Sequence, residues 1–189
     1  MSLSAVLLAG GQSRRMSTDK ATLLLRGKPL WEIQLETLRK LKPTELFVSA
    51  RSDPEWRPHD VLFVADVAPS QGPLRGLAAS LDRMSANHLL ALAIDMPWMS
   101  SKYLELLCAE IALGCGVVPK IGGCFEPVAA IYPQEAAFEF RAALGGADLS
   151  LQSLTRDLVA AGKLREIFVS EQDKKLFLNA NTPSDLPWA

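Results

Sequence analysis

Short apolar runs alternate with amphipathic stretches from one end of the chain to the other. Ala5–Ala9 is the first run and predicts a strand, with Leu23–Leu25 a second, shorter extended piece. Leu30, Ile33, Leu38 and Leu41 fall roughly on one face of a helix that Pro29 opens and Pro43 closes. Leu46-Phe47-Val48 and Val61-Leu62-Phe63-Val64 predict two more strands on either side of a polar loop, Arg51–Pro58, and the second runs directly into Asp66. A loop at Pro69–Gly72 leads to Pro73 and a helix over Leu74–Met84, whose Gly76, Ala78 and Ala79 suit a close backbone approach. Leu89–Ile94 is the most apolar run and lacks polar alternation, which predicts a central parallel strand covered on both faces. It ends in Asp95-Met96-Pro97.

The second half is patterned less strictly. Ser100 or Ser101 caps a helix expected to reach Leu113, and Gly116-Val117-Val118 reads as a strand. After the Gly122-Gly123 turn another strand is expected over Cys124–Tyr132, followed by helices at about Gln134–Leu144 and Leu151–Ala161. Leu164–Val169 and Leu176–Leu178 predict late strands, and Asn179-Ala180-Asn181-Thr182-Pro183 leads to a short terminal helix. Strands alternating with helices predict an α/β sandwich on a mostly parallel sheet, mixed by an antiparallel arm from the strands between Gly122 and Leu178. Ligands of such sheets bind beyond the carboxyl ends of the strands. The Gly10-Gly11 loop, Ser49, Asp66 and Asp95 each follow a predicted strand, so all four are expected on one edge.

Composition narrows the ligand. The 189 residues are 49% apolar and 22% charged, as expected for one globular domain spanning 1–189. With a net charge of −1, no global field draws nucleic acid or an anionic membrane, and the four Trp residues are scattered with no basic stripe between them. Arg14, Arg15, Lys20, Arg26 and Lys28 therefore form a local cluster matched to one small anion. No apolar span or charged leader is present, and Cys108, Cys115 and Cys124 make no C-x-x-C pair, which together point to the cytoplasm. His59 and His88 stand alone, so any metal would be held by carboxylates.

The stretch from Leu7 to Lys20 needs the most explaining. An apolar run ends in two glycines, two arginines follow, and Lys20 comes five residues after Arg15. Glycine lets the backbone turn its N–H groups onto a ligand, and nearby cations suggest a polyphosphate. The spacing is neither G-x-x-x-x-G-K-[ST] nor G-x-G-x-x-G, which disfavours a P-loop ATPase and a dinucleotide-binding dehydrogenase. What remains is a turn whose donors, with Arg15 and Lys20, suit the β- and γ-phosphates of a nucleoside triphosphate. Asp95, at the end of a buried strand, suits Mg²⁺, which takes one or two carboxylates plus phosphate oxygens and water, and taken alone suits equally a turn capped through its own backbone. Asp66 suits the metal, a ribose or a base, and equally a loop-opening turn. Glu126-Pro127 fits an acceptor pocket or a surface hairpin, and Asn179 and Asn181 fit a structural turn.

Taken together, Leu8-Ala9-Gly10-Gly11-Gln12-Ser13-Arg14-Arg15-Met16-Ser17-Thr18-Asp19-Lys20 resembles the signature L-A-G-G-x-S-x-R-M-G-x-D-K of the MobA-like nucleotidyltransferase family. Gly27-Lys28-Pro29-Leu30, Gly72-Pro73-Leu74-Arg75-Gly76, Asp95-Met96-Pro97, Glu126-Pro127 to Tyr132 and Asn179-Ala180-Asn181-Thr182-Pro183 come in the family's order. The resemblance implies a three-layer, Rossmann-like sandwich of the nucleotide-diphospho-sugar transferase type. It also implies transfer of GMP from GTP to the phosphate of molybdopterin with release of pyrophosphate. Its nucleotide loop falls on Leu8, Ala9, Gly10 and Gly11, its phosphate lysine on Lys20, and its two nucleotide-site aspartates on Asp66 and Asp95, with Mg²⁺ on Asp95. Arg15 matches the signature arginine, so Arg15, Lys20 and Asp95 are the implied catalytic groups and Ser49 stands near the base. The implied partners are GTP, the pterin cofactor and, transiently, proteins that deliver or accept it. Three positions depart from the pattern: Ser17 for the usual Gly, Ser49 for a common Asn, and Ile94 for the usual Cys. A cytidylyl- or sugar-phosphate nucleotidyltransferase shares the first motif, and a nucleotide-binding protein without turnover would share it too.

Overall fold

The computed structural model describes residues 1–10, 20–66, 72–146, 148–180 and 185. Its first half runs β1 (Leu3–Leu8), β2 (Leu24–Leu25), β3 (Lys28–Pro29), α1 (Leu30–Arg39), β4 (Glu45–Ala50), β5 (Leu62–Ala65), α2 (Pro73–Arg83) and β6 (His88–Ala93). The second half runs α3 (Ser101–Ala109), β7 (Gly116–Ile121), β8 (Cys124–Phe125), β9 (Ile131–Pro133), α4 (Ala137–Gly145), α5 (Leu151–Ala160) and β10 (Leu164–Phe168). Among the described residues the main sheet has eight strands in the order β10-β7-β9-β6-β1-β4-β5, with β8 paired to β7 outside that path. β2 and β3 form a separate small hairpin. The expected mostly parallel, mixed α/β sandwich is therefore observed.

Alternation along the central strands explains the layers. In β1, Ala5 and Leu7 enter one core while Val6 and Leu8 enter the other. β6 does the same, with Leu90 and Leu92 on the first side and Leu89 and Ala91 on the second. A strand buried on both faces must be apolar at every position, which is why Leu89–Ile94 shows no alternation. Leu30, Leu35 and Leu38 of α1 and Leu104 and Leu107 of α3 cover the first face. Leu74, Leu77 and Leu81 of α2, Phe140 of α4 and Leu154 and Leu158 of α5 cover the second.

Local chemistry sets the helix ends. Pro29 precedes α1 with φ −68° and ψ 149°, and past its end the chain turns through Lys42 at φ +51° before Pro43. Gly72 precedes α2 at φ +81°, a left-handed geometry suited to glycine, and Pro73 takes the first helical position. The Ser100 hydroxyl accepts the Tyr103 N–H at 3.2 Å to cap α3.

Four expectations are corrected. β6 is parallel to β1 on one side but antiparallel to β9 on the other, because the antiparallel arm inserts β9 beside it. α3 stops at Ala109 rather than near Leu113, because Ala112 and Cys115 exchange backbone hydrogen bonds around Gly114 at φ +71°. Cys124–Tyr132 is two short strands, not one. Pro127 has no N–H for a ladder, and Ala129 turns back to donate to the Glu126 carbonyl at 3.1 Å. Leu176–Leu178 is not a strand: Lys174–Phe177 forms a 3₁₀ turn, nucleated where the Ser170 hydroxyl donates to the Asp173 carboxylate at 2.7 Å. That turn buries Phe177 edge-on to Tyr103 at 5.4 Å. The expected terminal helix lies almost wholly outside the described residues.

Gly76 is where α2 presses closest to the sheet. A Cβ there would collide with Ser49 Oγ and stand 3.3 Å from Leu8 Cδ2. Gly76→Ala should therefore cost about 1–3 kcal/mol, the usual penalty for overpacking. Ser49→Ala in the same chain should recover part of that loss, and urea midpoints of the four proteins in the cycle measure both terms.

Candidate active site

The edge of the sheet is assembled by hydrogen bonds that continue past the strand ends. Leu8 stands opposite Ser49 on β4 and Ala93 on β6, while Ala50 stands opposite Ala65 on β5. One step beyond, Ala9 donates to the Ser49 carbonyl at 2.8 Å, Ile94 to Leu8 at 3.0 Å and Asp66 to Ala50 at 2.8 Å. These bonds carry Gly10, Asp66 and Asp95 out of the sheet on the same side. The convergence expected from the sequence is a consequence of parallel register.

Among the described residues a cleft of about 200 Å³ opens on this edge. The chain at Leu8, Ala9 and Gly10 forms one wall, Pro73 at the start of α2 another, and Lys20 and Asp95 a third. Val128 and Asn179 complete the rim. Gly72 gives α2 no side-chain cap, so the positive end of an 11-residue helix borders a cleft that also contains a lysine. Both features favour an anion. Lys20 Nζ lies 3.5 Å from Asp95 Oδ2, and each side chain is 24% exposed. At 3.5 Å the pair is looser than a charge-assisted hydrogen bond, so a ligand can compete for either group.

The predicted residues separate into three groups. Leu8, Ala9, Gly10, Lys20 and Asp95 line the cleft together. Asp66 and Ser49 are on the same edge but buried behind it. Asp66 Oδ2 packs where a Cβ on Gly10 would stand 2.9 Å away, so glycine at position 10 is what admits the carboxylate. Ser49 is 2% exposed, with its hydroxyl turned toward Gly76. Gly11, Arg15, Ser17 and Asn181 lie outside the described residues.

Two contributors were harder to read from sequence. Val128 reaches the rim because its carbonyl accepts the Ala93 N–H at 2.9 Å, tying the bend after β8 to the end of β6. The adjoining Glu126 is half-buried, and that burial pushes its carboxyl above the usual range. Tyr132 holds the bend from below, its hydroxyl donating to the Pro127 carbonyl at 2.6 Å. The other is Gln34 on α1, fully buried, whose amide reaches the carbonyls of Ala93 and Met96 on either side of Asp95. The signal for Gln34 was present as a polar residue spaced four from both Leu30 and Leu38 on an apolar helix face.

The donor set also bears on a metal. Asp95 is one carboxylate in a cleft that also holds Lys20, and among the described residues no group of three or more His, Cys, Asp or Glu could hold an ion alone. That chemistry fits a hard cation bound jointly by one carboxylate and substrate oxygens. No described helix is long and apolar enough to cross a membrane.

Comparison with known proteins bears on the family and the fold. The family model described as the MobA-like NTP transferase domain matches residues 5–164. A protein of Opitutus terrae named "Probable molybdenum cofactor guanylyltransferase" is 33% identical over 186 residues, covering 97% of this chain and 92% of that one. The crystal structure of molybdopterin-guanine dinucleotide biosynthesis protein A from Archaeoglobus fulgidus superposes with a TM-score of 0.71 at 25% identity, over 96% of this chain and 94% of that one. The 2-C-methyl-D-erythritol 4-phosphate cytidylyltransferase of Thermus thermophilus shares the fold, with a TM-score of 0.67 at 16% identity over 98% of this chain and 95% of that one. A phosphate-suited cleft at the end of β1, on a nucleotidyltransferase sheet, in a chain matched by one family model over most of its length, places this protein in the MobA-like NTP transferase family of nucleotidyltransferases.

Proposed function

We propose that this protein transfers GMP from GTP to the terminal phosphate of molybdopterin and releases pyrophosphate. The observation that carries the reading is the Lys20–Asp95 pair, together on one wall of a cleft whose other walls are the Leu8–Gly10 backbone and the start of α2. The choice of guanylate and of a pterin acceptor is supported by relatives of nearly the same length that bear the guanylyltransferase name. Burial of Ser49 also bears on the choice of base. A hydroxyl turned into α2 has no path to the cleft, so in this reading the guanine edge is met by other groups.

The chemistry asks little covalent work of the protein. An oxygen of the acceptor phosphate attacks the α-phosphorus in line. One P–O bond forms, the bond from the α-phosphorus to the bridging oxygen breaks, and that electron pair leaves with pyrophosphate. The attacking phosphate is already ionised at neutral pH, so no general base is required. Catalysis is then positioning and charge neutralisation. Lys20 meets the charge that builds on the leaving pyrophosphate, and the backbone at Leu8–Gly10 holds the triphosphate against the sheet edge. Asp95 is the residue that would hold Mg²⁺, which when bound supplies positive charge to the phosphate oxygens. Arg15 is assigned to the same phosphates from its place in the signature. The free thiols of Cys108, Cys115 and Cys124 suit the cytoplasm.

Lys20→Ala and Asp95→Asn should each lower turnover by about 10²–10³-fold, the scale of losing one transition-state charge contact. Both proteins should still fold cooperatively, because the 3.5 Å pair is looser than a charge-assisted hydrogen bond and lies outside both cores. Pyrophosphate release and thermal unfolding on the same samples check the two statements, and near-normal turnover in Asp95→Asn would remove the metal assignment. The base is decided by pyrophosphate release with GTP, CTP, UTP and ATP in turn. GTP should dominate with molybdopterin as acceptor, and preference for CTP would replace this reading with the cytidylyltransferase one.

A further inference from the structure

Asp95 sits in a turn whose backbone is tied to three separate elements. Gln34, fully buried on α1, donates from Nε2 to the Met96 carbonyl at 2.6 Å and to the Ala93 carbonyl at 3.3 Å. Those two carbonyls bracket Asp95. From another direction the Ala180 N–H donates to the carbonyl of Asp95 itself at 2.8 Å, and Ile94 is bonded to β1 through Leu8 at 3.0 Å. By contrast, the Asp95 carboxylate meets Lys20 at 3.5 Å, longer than the distance at which a charge-assisted hydrogen bond holds two groups in place. The direction of the carboxylate is therefore inherited from its backbone.

Gln34 is also an unexpected residue for its environment. Leu30 and Leu38, one turn away on either side, are both fully buried and apolar. Its Oε1 is buried with no hydrogen-bond partner among the described residues, which costs stability that an apolar side chain would not lose. What the amide does that no apolar residue can do is hold two carbonyls at once.

We propose that Gln34 is a positioning residue for nucleotidyl transfer: by tying the carbonyls of Ala93 and Met96 to α1, it sets the direction in which the Asp95 carboxylate faces Lys20 and the triphosphate. This deepens the function proposed above and rests on it. It predicts that removing the amide uncouples turnover from nucleotide affinity, because the walls at Leu8–Gly10 and Pro73 do not depend on Gln34.

The test uses Gln34→Met, which keeps volume, and Gln34→Asn, which keeps the amide but is one methylene too short to reach both carbonyls. Each is assayed well below its own unfolding temperature for pyrophosphate release with GTP and molybdopterin. Separately, the spectrum of Mn²⁺ bound to the protein–GTP complex is recorded by electron paramagnetic resonance, with Mn²⁺ saturating. The expected result is a fall of about 10–100-fold in kcat, the scale seen when the support of a ligating group is removed, together with an altered spectrum of the bound Mn²⁺. The KM for GTP should stay within about threefold, in keeping with a loss felt mainly in the transition state. Three outcomes overturn the proposal: wild-type kcat and a wild-type Mn²⁺ spectrum in a folded variant, a rise in KM alone, or failure of both variants to fold. Asp95→Asn run in parallel separates the two levels. If it is inactive while Gln34→Met is normal, only the positioning role fails. If it is active, the reading of the cleft fails and the positioning role with it.

Discussion

Parallel pairing of β1 with both β4 and β6 is the constraint on which the rest of the structure depends. Leu3–Leu8 is hydrogen-bonded on both sides and buried on both faces, so every residue in it is committed either to the ladder or to one of the two cores. In a parallel sheet all three strands end on the same side. The residues just past each strand are delivered to one edge, and the first bonds beyond the ladder hold them there: Ala9 to Ser49, Ile94 to Leu8, and Asp66 to Ala50 on the neighbouring strand. A one-residue slip of β1 would exchange the faces of Val6 and Leu7 and move Gly10 away from Asp66, so core packing and site geometry enforce the same register.

Charge in the cleft is arranged loosely and backbone tightly. The Lys20–Asp95 pair stands 3.5 Å apart with no close hydrogen bond between them, whereas the peptide units around Asp95 are bonded to α1, β1 and the segment at Ala180. That division suits a site in which substrate phosphates displace one side-chain contact without disturbing the frame. Small residues do the same work from the other direction. Gly76 allows α2 to lie against Ser49 and Leu8, and Gly10 leaves room for the Asp66 carboxylate. The positive end of α2 is thereby brought to the cleft.

Much of this was legible in the chain. Uniformly apolar Leu89–Ile94 announced a strand covered on both faces, and Pro29, Pro73 and Ser100 marked helix starts through fixed φ or a capping hydroxyl. Lys20 and Asp95 were recognisable from their places in the signature and at a strand end, and they do meet. The misreadings share a cause. Cys124–Tyr132 and Leu176–Leu178 have the composition of strands, but composition does not report which neighbour is available. The first is broken by the turn at Pro127 and the second is drawn into a 3₁₀ turn that places Phe177 against Tyr103. Ser49 was placed correctly on the edge but not in depth, since only the approach of Gly76 shows that its hydroxyl faces a helix.

By itself, then, the sequence determined the alternation of strands and helices, the edge on which the strand ends converge, and the cation and carboxylate that meet there. These come from periodicity and from residue types whose conformational and charge preferences are local. Only the tertiary structure decided which of the edge residues open to the cleft and which are buried behind it. It alone showed that the bend at Val128 forms part of the rim and that Gln34 grips the turn at Asp95 from a helix 59 and 62 positions away from the carbonyls it holds. Such contacts join residues far apart in the chain and depend on how closely two layers approach, a distance that side-chain volumes on both surfaces set together and no local pattern records.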